Sequence, residues 1–148
     1  MIHLPDAAAT EEVGRQLGNL LKPGDVVALF GDLGAGKTSL ARGALAALGL
    51  AEEAPSPTFA IVQPYTPPEV SLPVAHVDLY RIDDPDDTQE LGLDEMLEEG
   101  ALLVEWPERL GEALWPQALR LTLEPDHSGG RRLTWAAPAA WEARWPPR

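Results

Sequence analysis

One short stretch of this sequence has the residue types and the spacing needed to hold a phosphate chain. It matches the pattern of a glycine, four residues, a glycine, a lysine and a serine or threonine, and comprises Gly31, Asp32, Leu33, Gly34, Ala35, Gly36, Lys37 and Thr38. Its glycines can bring successive backbone N–H groups close to an anion. Lys37 can reach terminal phosphates, and the Thr38 hydroxyl can ligate Mg²⁺. The stretch, together with the adjoining Ser39, therefore predicts a nucleotide-binding site.

The elements that must position this stretch are also visible in the sequence. Residues 25–30 form a short apolar run typical of a buried strand. After the loop, Leu40, Ala44, Ala47 and Leu48 recur at the spacing of an amphipathic helix, and Gly49 follows where such a helix would end. The loop therefore connects a strand to a helix, so that the positive end of the helix dipole also faces the anion.

Two carboxylates occupy positions where they could act on that phosphate chain. Asp78 lies in a strand-like run, on the face that alternation also gives to His76 and Tyr80. An aspartate there is costly unless a cation or a hydrogen-bond donor meets it, so a satisfied structural carboxylate is the alternative. Glu105 ends the apolar run 101–105, and in phosphate-loop enzymes an acid at such a strand end holds Mg²⁺. We therefore predict that Asp78 is a catalytic carboxylate that either orients water or accepts its proton, and that Glu105 is a metal ligand.

The remaining segments predict supporting structure. A first helix is expected to begin with Thr10 as its cap and Glu11 and Glu12 in its first turn. The acidic segment 83–99 favours short helices and a solvated surface over a metal site. Strand-like runs predict two antiparallel hairpins, 58–65 with 70–81 and 118–123 with 131–135, followed by a proline- and tryptophan-rich tail, 138–148, that packs on the body through Trp141 and Trp145. The expected fold is α/β, a phosphate-loop NTPase-like mixed sheet flanked by helices.

Composition limits the functional classes. The 148 residues predict a single domain, 1–148, and no segment has the apolar length needed to cross a bilayer. The absence of cysteine excludes a disulfide framework and a cysteine-based zinc site. Eleven basic against 24 acidic residues give a net charge of −13, so the chain should repel nucleic acid phosphate when alone. We expect a cytoplasmic protein without direct contact with nucleic acid or membrane.

Four motifs in order make the sequence resemble one bacterial family closely: residues 31–38, Ser56-Pro-Thr-Phe59, His76-Val-Asp-Leu-Tyr-Arg81 and Val104-Glu-Trp106. This combination resembles the TsaE (YjeE) family, in which an ATPase serves the synthesis of threonylcarbamoyladenosine in tRNA. The resemblance covers roughly residues 10–123, and only its phosphate loop is a generic motif.

The resemblance implies specific roles. ATP phosphates would be bound by residues 31–38, with Lys37 on the terminal phosphates and with Thr38 and Glu105 placing Mg²⁺. Asp78 would be needed for turnover, and Trp106 would lie near the nucleotide. The loop 56–59 would act as a switch with Thr58 as its polar contact. The implied partners are the proteins TsaB and TsaD, so that tRNA is reached only indirectly.

Other functions share the phosphate loop. A small-molecule kinase would need an acceptor pocket and usually a lid carrying arginines, but Arg109 is the only arginine near Glu105 and the segment 83–99 is acidic. A GTPase would need a guanine-reading Asn-Lys-x-Asp stretch, and the only asparagine, Asn19, is not followed by lysine. A nucleotide-dependent binding module with negligible hydrolysis is the non-enzymatic alternative.

Overall fold

A seven-stranded mixed sheet forms the centre of the computed structural model, which describes residues 1–32, 36–51, 62–82 and 84–146. The strand order is β1-β7-β6-β2-β5-β4-β3. The pairs β2/β6, β2/β5 and β4/β5 are parallel, and β1/β7, β6/β7 and β3/β4 are antiparallel. The strands are β1 (Ile2–Leu4), β2 (Val26–Phe30), β3 (Val62–Tyr65), β4 (Val74–Asp78), β5 (Ala101–Glu105), β6 (Leu119–Pro125) and β7 (Arg131–Ala136).

Helices cover both faces of the sheet, as the sequence predicts. The helices α1 (Ala7–Gly18) and α2 (Lys37–Ala47) pack against each other on one face. The other face is covered by α3 (Leu93–Met96) and by two 3₁₀ segments, Pro85–Leu91 and Pro107–Ala113. Alternate residues of β2 enter the two cores, with Val27 and Leu29 on the α1–α2 side and Val26 and Ala28 on the other. A strand that is apolar on both sides therefore belongs at the centre of the sheet.

The parallel arrangement brings three strand ends together. In β4 and β5, Asp78 is the register partner of Glu105, and in β2 and β5, Leu29 is the register partner of Glu105. The carboxyl ends of β2, β4 and β5 consequently lie at one edge of the sheet, where α2 begins. This is the edge at which open α/β sheets bind their ligands.

The structure corrects the predicted start of the first helix. The cap is Asp6, whose Oδ1 accepts the Ala9 backbone N–H at 2.9 Å, and Thr10 is a buried residue inside the helix. Aspartate is at least as good a cap as threonine, and Asp6 comes first in the chain. The Thr10 hydroxyl instead donates to the backbone carbonyl of Asp6 at 3.3 Å.

Both predicted hairpins form, with shorter strands in the first. Its return strand covers Val74–Asp78 rather than 70–81, so Tyr80 lies beyond the strand and is exposed, while His76 and Asp78 share a face as predicted. Of the first predicted strand, 58–65, residues 58–61 lie outside the described residues. The edge strand β1 was not predicted, because three residues are too few for an alternation pattern to be recognised.

The tryptophan-rich tail packs on the body, as predicted. Trp141 is fully buried and Trp145 nearly so, both in the core beside α1 and α2. Arg144 forms a two-pronged ion pair with Asp25, through Nη1 to Oδ2 at 2.7 Å and Nη2 to Oδ1 at 3.0 Å. The tail is therefore tied to the residue that immediately precedes β2. Among the described residues, no helix combines the length and apolar character needed to cross a membrane.

Candidate functional site

The phosphate-loop motif leads directly into α2, and its described glycines have the backbone conformation that the motif requires. Gly31 has φ 147° and Gly36, which precedes the first helical residue, has φ 103°. Both values lie in the region that favours glycine. The backbone at Gly36 therefore turns the chain so that α2 starts with Lys37 and Thr38, at the positive end of the helix dipole. Leu33, Gly34 and Ala35 lie outside the described residues.

Lys37 is a buried basic residue at the start of α2. Its side chain is 4% exposed, and its Nζ has no hydrogen-bond acceptor among the described residues. Nζ lies 3.7 Å from the centroid of the Trp106 ring, a cation–π contact. Burial lowers the pKa of Lys37, and the carboxylates of Glu105, Glu108, Asp78 and Asp32 oppose that shift. A buried ammonium with no paired acceptor is costly, so this position suits the binding of an anion.

Glu105 joins the loop to the sheet. The Thr38 hydroxyl donates towards both carboxylate oxygens, at 3.3 Å to Oε1 and 3.4 Å to Oε2. On its other side, Oε2 lies 2.6 Å from Nε2 of His76, which is fully buried. Since a carboxylate only accepts hydrogen bonds, Nε2 is the donor in this contact. Glu105 is 3% exposed, so its orientation is determined by these two neighbours.

Asp78 lies beside Glu105 at the end of β4. Its Oδ1 accepts the backbone N–H of Tyr80 at 2.9 Å. Burial raises the pKa of Asp78, and the neighbouring Glu105 raises it further, whereas the Tyr80 N–H, Lys37 and His76 lower it. Asp78 therefore holds its charge at a cost, within the field of both Lys37 and Glu105. Groups with pKa values perturbed in this way are concentrated at functional sites.

Trp106 directly follows β5 and contacts the phosphate-loop lysine. It has φ 59°, the only positive φ of a non-glycine residue in the described chain. This left-handed conformation costs about 1–3 kcal/mol in a residue other than glycine. Its ring contacts Tyr80 at a centroid distance of 4.9 Å in addition to Lys37. The turn after β5 is thus strained in a way that places an aromatic ring against the phosphate-loop lysine.

A cavity of about 270 Å³ adjoins the start of α2. It lies on the side of α2 where α1, β1 and β7 meet, and Ser39 and Gly36 form part of its wall. The other lining residues come from distant parts of the chain: Leu4, Pro5, Asp6, Ala7, Thr10, Gly130 and Arg131. A group bound at the start of α2 can therefore extend into a pocket of mixed polar and apolar character.

The residues at this edge fit a small divalent cation that is shared with a phosphate. The Thr38 hydroxyl oxygen lies 3.3 Å from Oε1 of Glu105, and both are oxygen ligands of the kind that Mg²⁺ prefers. In the described part of the chain, no three His, Asp or Glu residues cluster so as to hold a metal ion. Mg²⁺ usually takes only one or two carboxylates and completes its shell with water and substrate phosphate. The donor set of Thr38 and Glu105 matches that mode of binding.

The structure brings together most of the site residues that the sequence predicts. Lys37, Thr38, Asp78, Glu105 and Trp106 meet at one edge of the sheet, and Ser39 faces the adjoining cavity. Thr58, with the rest of the loop 56–59, lies outside the described residues. Sequence reasoning gave no role to His76 beyond its strand face, and it treated Thr10 only as a cap. His76 contacts Glu105, and Thr10 lines the cavity together with Gly36 and Ser39. These residues are far apart in the chain, so local sequence patterns do not predict that they lie close together.

Comparison with known proteins gives the family. The model of the threonylcarbamoyl adenosine biosynthesis protein TsaE matches residues 4–133. The chain belongs to the TsaE family. Among its relatives, the TsaE protein of Bacillus subtilis is 36% identical over 86% of this chain and 79% of that protein. The TsaE protein of Streptomyces coelicolor is 41% identical over 76% of this chain and 77% of that protein.

A solved structure agrees with this assignment. The crystal structure of Bacillus subtilis YdiB superimposes with a TM-score of 0.74 at 32% sequence identity, covering 89% of this chain and 80% of that one. The phosphate-loop NTPase-like α/β fold predicted from the sequence is thereby confirmed. The TsaE family proteins take part in the biosynthesis of threonylcarbamoyladenosine in tRNA, which was the pathway implied by the four sequence motifs.

Proposed function

We propose that this TsaE family protein binds Mg²⁺-ATP and hydrolyses it, and that it supports tRNA modification in the cytoplasm through the partners TsaB and TsaD. One observation carries the proposal: a buried lysine, a hydroxyl–carboxylate pair and a second carboxylate converge where the phosphate loop meets the ends of β4 and β5. Lys37, the pair Thr38–Glu105 and Asp78 are these groups. Phosphoryl transfer to water needs bound phosphates, a neutralising metal and an oriented nucleophile.

Each group has a separate task in that reaction. Lys37, whose ammonium has no acceptor in the described chain, binds the terminal phosphates together with the N–H groups at the start of α2. Mg²⁺, which Thr38 and Glu105 would hold, supplies positive charge to the phosphate oxygens when it is bound. Asp78 either orients the attacking water or accepts its proton, and its raised pKa suits the second role as well as the first. The products are ADP and phosphate.

The cavity beside α2 provides space for the nucleoside part of the ligand. It begins at Gly36 and Ser39, so a nucleotide with its phosphates at the loop can place its base and ribose there. Thr10 offers a hydroxyl in this wall, and Leu4 and Pro5 offer apolar surface. This combination of an apolar wall with a few polar groups is typical of small-molecule sites.

Thermal unfolding tests the binding step. Mg²⁺-ATP at 100 times its dissociation constant should stabilise the fold by about 2.7 kcal/mol, which corresponds to a rise of roughly 5–10 °C in melting temperature. GTP should give a smaller shift, because the sequence lacks a guanine-reading motif. A melting temperature that does not respond to millimolar Mg²⁺-ATP contradicts the proposal.

Three variants separate binding from turnover. Lys37→Ala and Thr38→Ala should weaken nucleotide binding, since both residues act on the bound ground state. Asp78→Ala should bind nucleotide but lose about 10²–10³-fold in kcat, the usual loss for one contact made in the transition state. Lys22→Ala, at the only other lysine and on the exposed surface, is the matched control and should change neither quantity. If Asp78→Ala hydrolyses ATP at the rate of the wild type, Asp78 is a structural carboxylate. If the wild-type protein binds ATP but does not hydrolyse it, the protein is a nucleotide-dependent binding module.

A further inference from the structure

His76 is a fully buried polar residue beside the site. Its imidazole is fully buried in the middle of β4, next to the core that α1 and α2 cover. An apolar side chain would fill such a position without a polar group to satisfy. The one hydrogen bond that the structure gives the ring joins Nε2 to Oε2 of Glu105, and Nδ1 has no partner among the described residues. The polar function of this side chain is therefore directed at Glu105.

The position of His76 in the sheet explains this contact. Its register partner in β5 is Leu103, and Glu105 lies two residues further along the same face. His76 thus reaches diagonally across the parallel pair to the carboxylate at the strand end. Asp78, also on this face, is the register partner of Glu105, so Glu105 has an imidazole on one side and a carboxylate beside it.

The contacts of Glu105 give its two oxygens different surroundings. The Thr38 hydroxyl approaches both oxygens, Oε1 at 3.3 Å and Oε2 at 3.4 Å, whereas the His76 ring hydrogen-bonds only to Oε2, at 2.6 Å, among the described residues. With the imidazole in place, the carboxylate cannot rotate freely, and both of its oxygens stay close to the Thr38 hydroxyl. Without it, a 3% exposed carboxylate next to Asp78 would have no donor on its inner side.

We propose that His76 is a positioning residue that fixes the Glu105 carboxylate for cation binding with Thr38. The inference rests on the function proposed above, because it takes Glu105 and Thr38 as the ligands of Mg²⁺. Hydrogen bonds to ligating groups orient them, and losing one typically weakens metal affinity about 10–100-fold. His76 acts through Glu105, to which the one hydrogen bond of its ring among the described residues is made.

The test compares nucleotide binding with and without Mg²⁺, measured by calorimetry on the full chain. His76→Leu removes the donor with little change in volume, and His76→Gln keeps an N–H at a similar reach. In His76→Leu, the Mg²⁺ concentration needed for half of the metal-dependent gain in ATP affinity should rise about 10–100-fold. Its ATP affinity in EDTA should stay within about threefold of wild type, and His76→Gln should recover most of the metal response. A purely structural role would lower the melting temperature and the EDTA affinity without changing the Mg²⁺ requirement.

A double-mutant cycle shows whether His76 acts through Glu105. In a Glu105→Gln background, His76→Leu should have no further effect on the Mg²⁺ requirement, since the group that it positions is no longer a carboxylate. If His76→Leu does not fold, His76→Asn replaces it, because the shorter amide cannot reach Oε2 and should lose the metal response that His76→Gln retains.

The outcomes separate this inference from the function on which it rests. An unchanged Mg²⁺ requirement in His76→Leu, or equal losses in His76→Gln and His76→Asn, overturns the positioning role while nucleotide binding stands. A wild-type protein that binds ATP equally well in EDTA and Mg²⁺ overturns both proposals. The positioning role is supported if Mg²⁺ raises the ATP affinity of the wild type, if His76→Leu needs more Mg²⁺ for that gain, and if His76→Gln restores the wild-type requirement.

Discussion

At the scale of single residues, the site is built from charges held partly away from water. Lys37 lacks a hydrogen-bond acceptor in the described chain, and burial works against its charged form. Burial likewise works against the charged form of Asp78. Native proteins accept such costs where function requires the charge. Removing one of these charges should therefore make the protein without ligand more stable.

Asp78→Asn tests this cost through its pH dependence. A carboxyl group whose folded pKa is raised contributes stability that is fully present below its unfolded pKa and is lost as pH rises through the folded pKa. The amide of the variant keeps an oxygen for the Tyr80 N–H but never acquires the charge. The variant should therefore have a higher urea midpoint than wild type at pH 7, and the difference should shrink as the pH falls towards 4. A midpoint equal to or below that of wild type at pH 7 would contradict the role of burial.

At the scale of elements, the position of α2 depends on its contact with α1. A Cβ placed on Gly43 of α2 would lie 2.0 Å from the Glu11 carbonyl oxygen, and one on Gly14 of α1 would lie 2.1 Å from the Leu40 carbonyl oxygen. The two helix backbones thus touch at glycines on both sides. Because Lys37 and Thr38 open α2, this contact fixes where they lie above the strand ends.

Gly43→Ala should destabilise the fold although alanine is the better helix former. Propensity alone would gain about 1 kcal/mol, whereas overpacking against the backbone of α1 costs about 1–3 kcal/mol or more. We expect a net loss of stability in urea unfolding, with weaker ATP binding because α2 must move. Ala46→Ser, on the exposed side of the same helix, should stay within about 0.5 kcal/mol of wild type. A Gly43→Ala protein more stable than wild type would show that the helices can separate freely.

The C-terminal tail should affect the stability of the fold without affecting ATP binding at the site. Arg144 donates to both oxygens of Asp25 and to the backbone carbonyls of Leu20 and Ala140. Arg144→Ala removes these four hydrogen bonds, leaves Asp25 with the Lys22 backbone N–H on Oδ2, and should cost about 2–3 kcal/mol. Arg144→Lys should recover only part of this loss because it lacks the planar fork. Since Asp25 precedes β2 at the end away from the phosphate loop, ATP affinity of the folded variants should match wild type. A loss of affinity in Arg144→Lys would indicate coupling along β2.

At the scale of the whole molecule, the sequence predicted the parts of the site better than their assembly. The phosphate loop, Asp78 and Glu105 were recognisable because each sits at the end of an apolar run that a local pattern defines. Their adjacency depends on β5 lying between β2 and β4, an order that no local pattern contains. The His76–Glu105 contact spans 29 positions in sequence and became visible only once the register of β4 and β5 was known.

The net charge of the whole chain bears on whether the protein binds tRNA directly. With a net charge of −13 and no basic run, the isolated protein has few cations to neutralise phosphates, the source of non-specific affinity for nucleic acid. Its sequence also lacks the interleaved aromatic and basic residues of a single-strand binder. A role in tRNA modification therefore requires another protein to hold the tRNA, and the proposed pair TsaB–TsaD would do so.

We accordingly expect no shift of tRNA by the protein alone in a binding assay at about 0.15 M salt. Lowering the salt to about 0.01 M should not produce one either, because a longer screening length strengthens the repulsion between two anions. A protein that bound through hidden basic residues would instead gain affinity steeply at low salt. Adding TsaB and TsaD should raise ATP turnover, and adding either protein alone serves as the control. Tight tRNA binding by the isolated chain, or an ATP turnover that TsaB and TsaD do not change, would contradict the proposal that the protein acts on tRNA through these two partners.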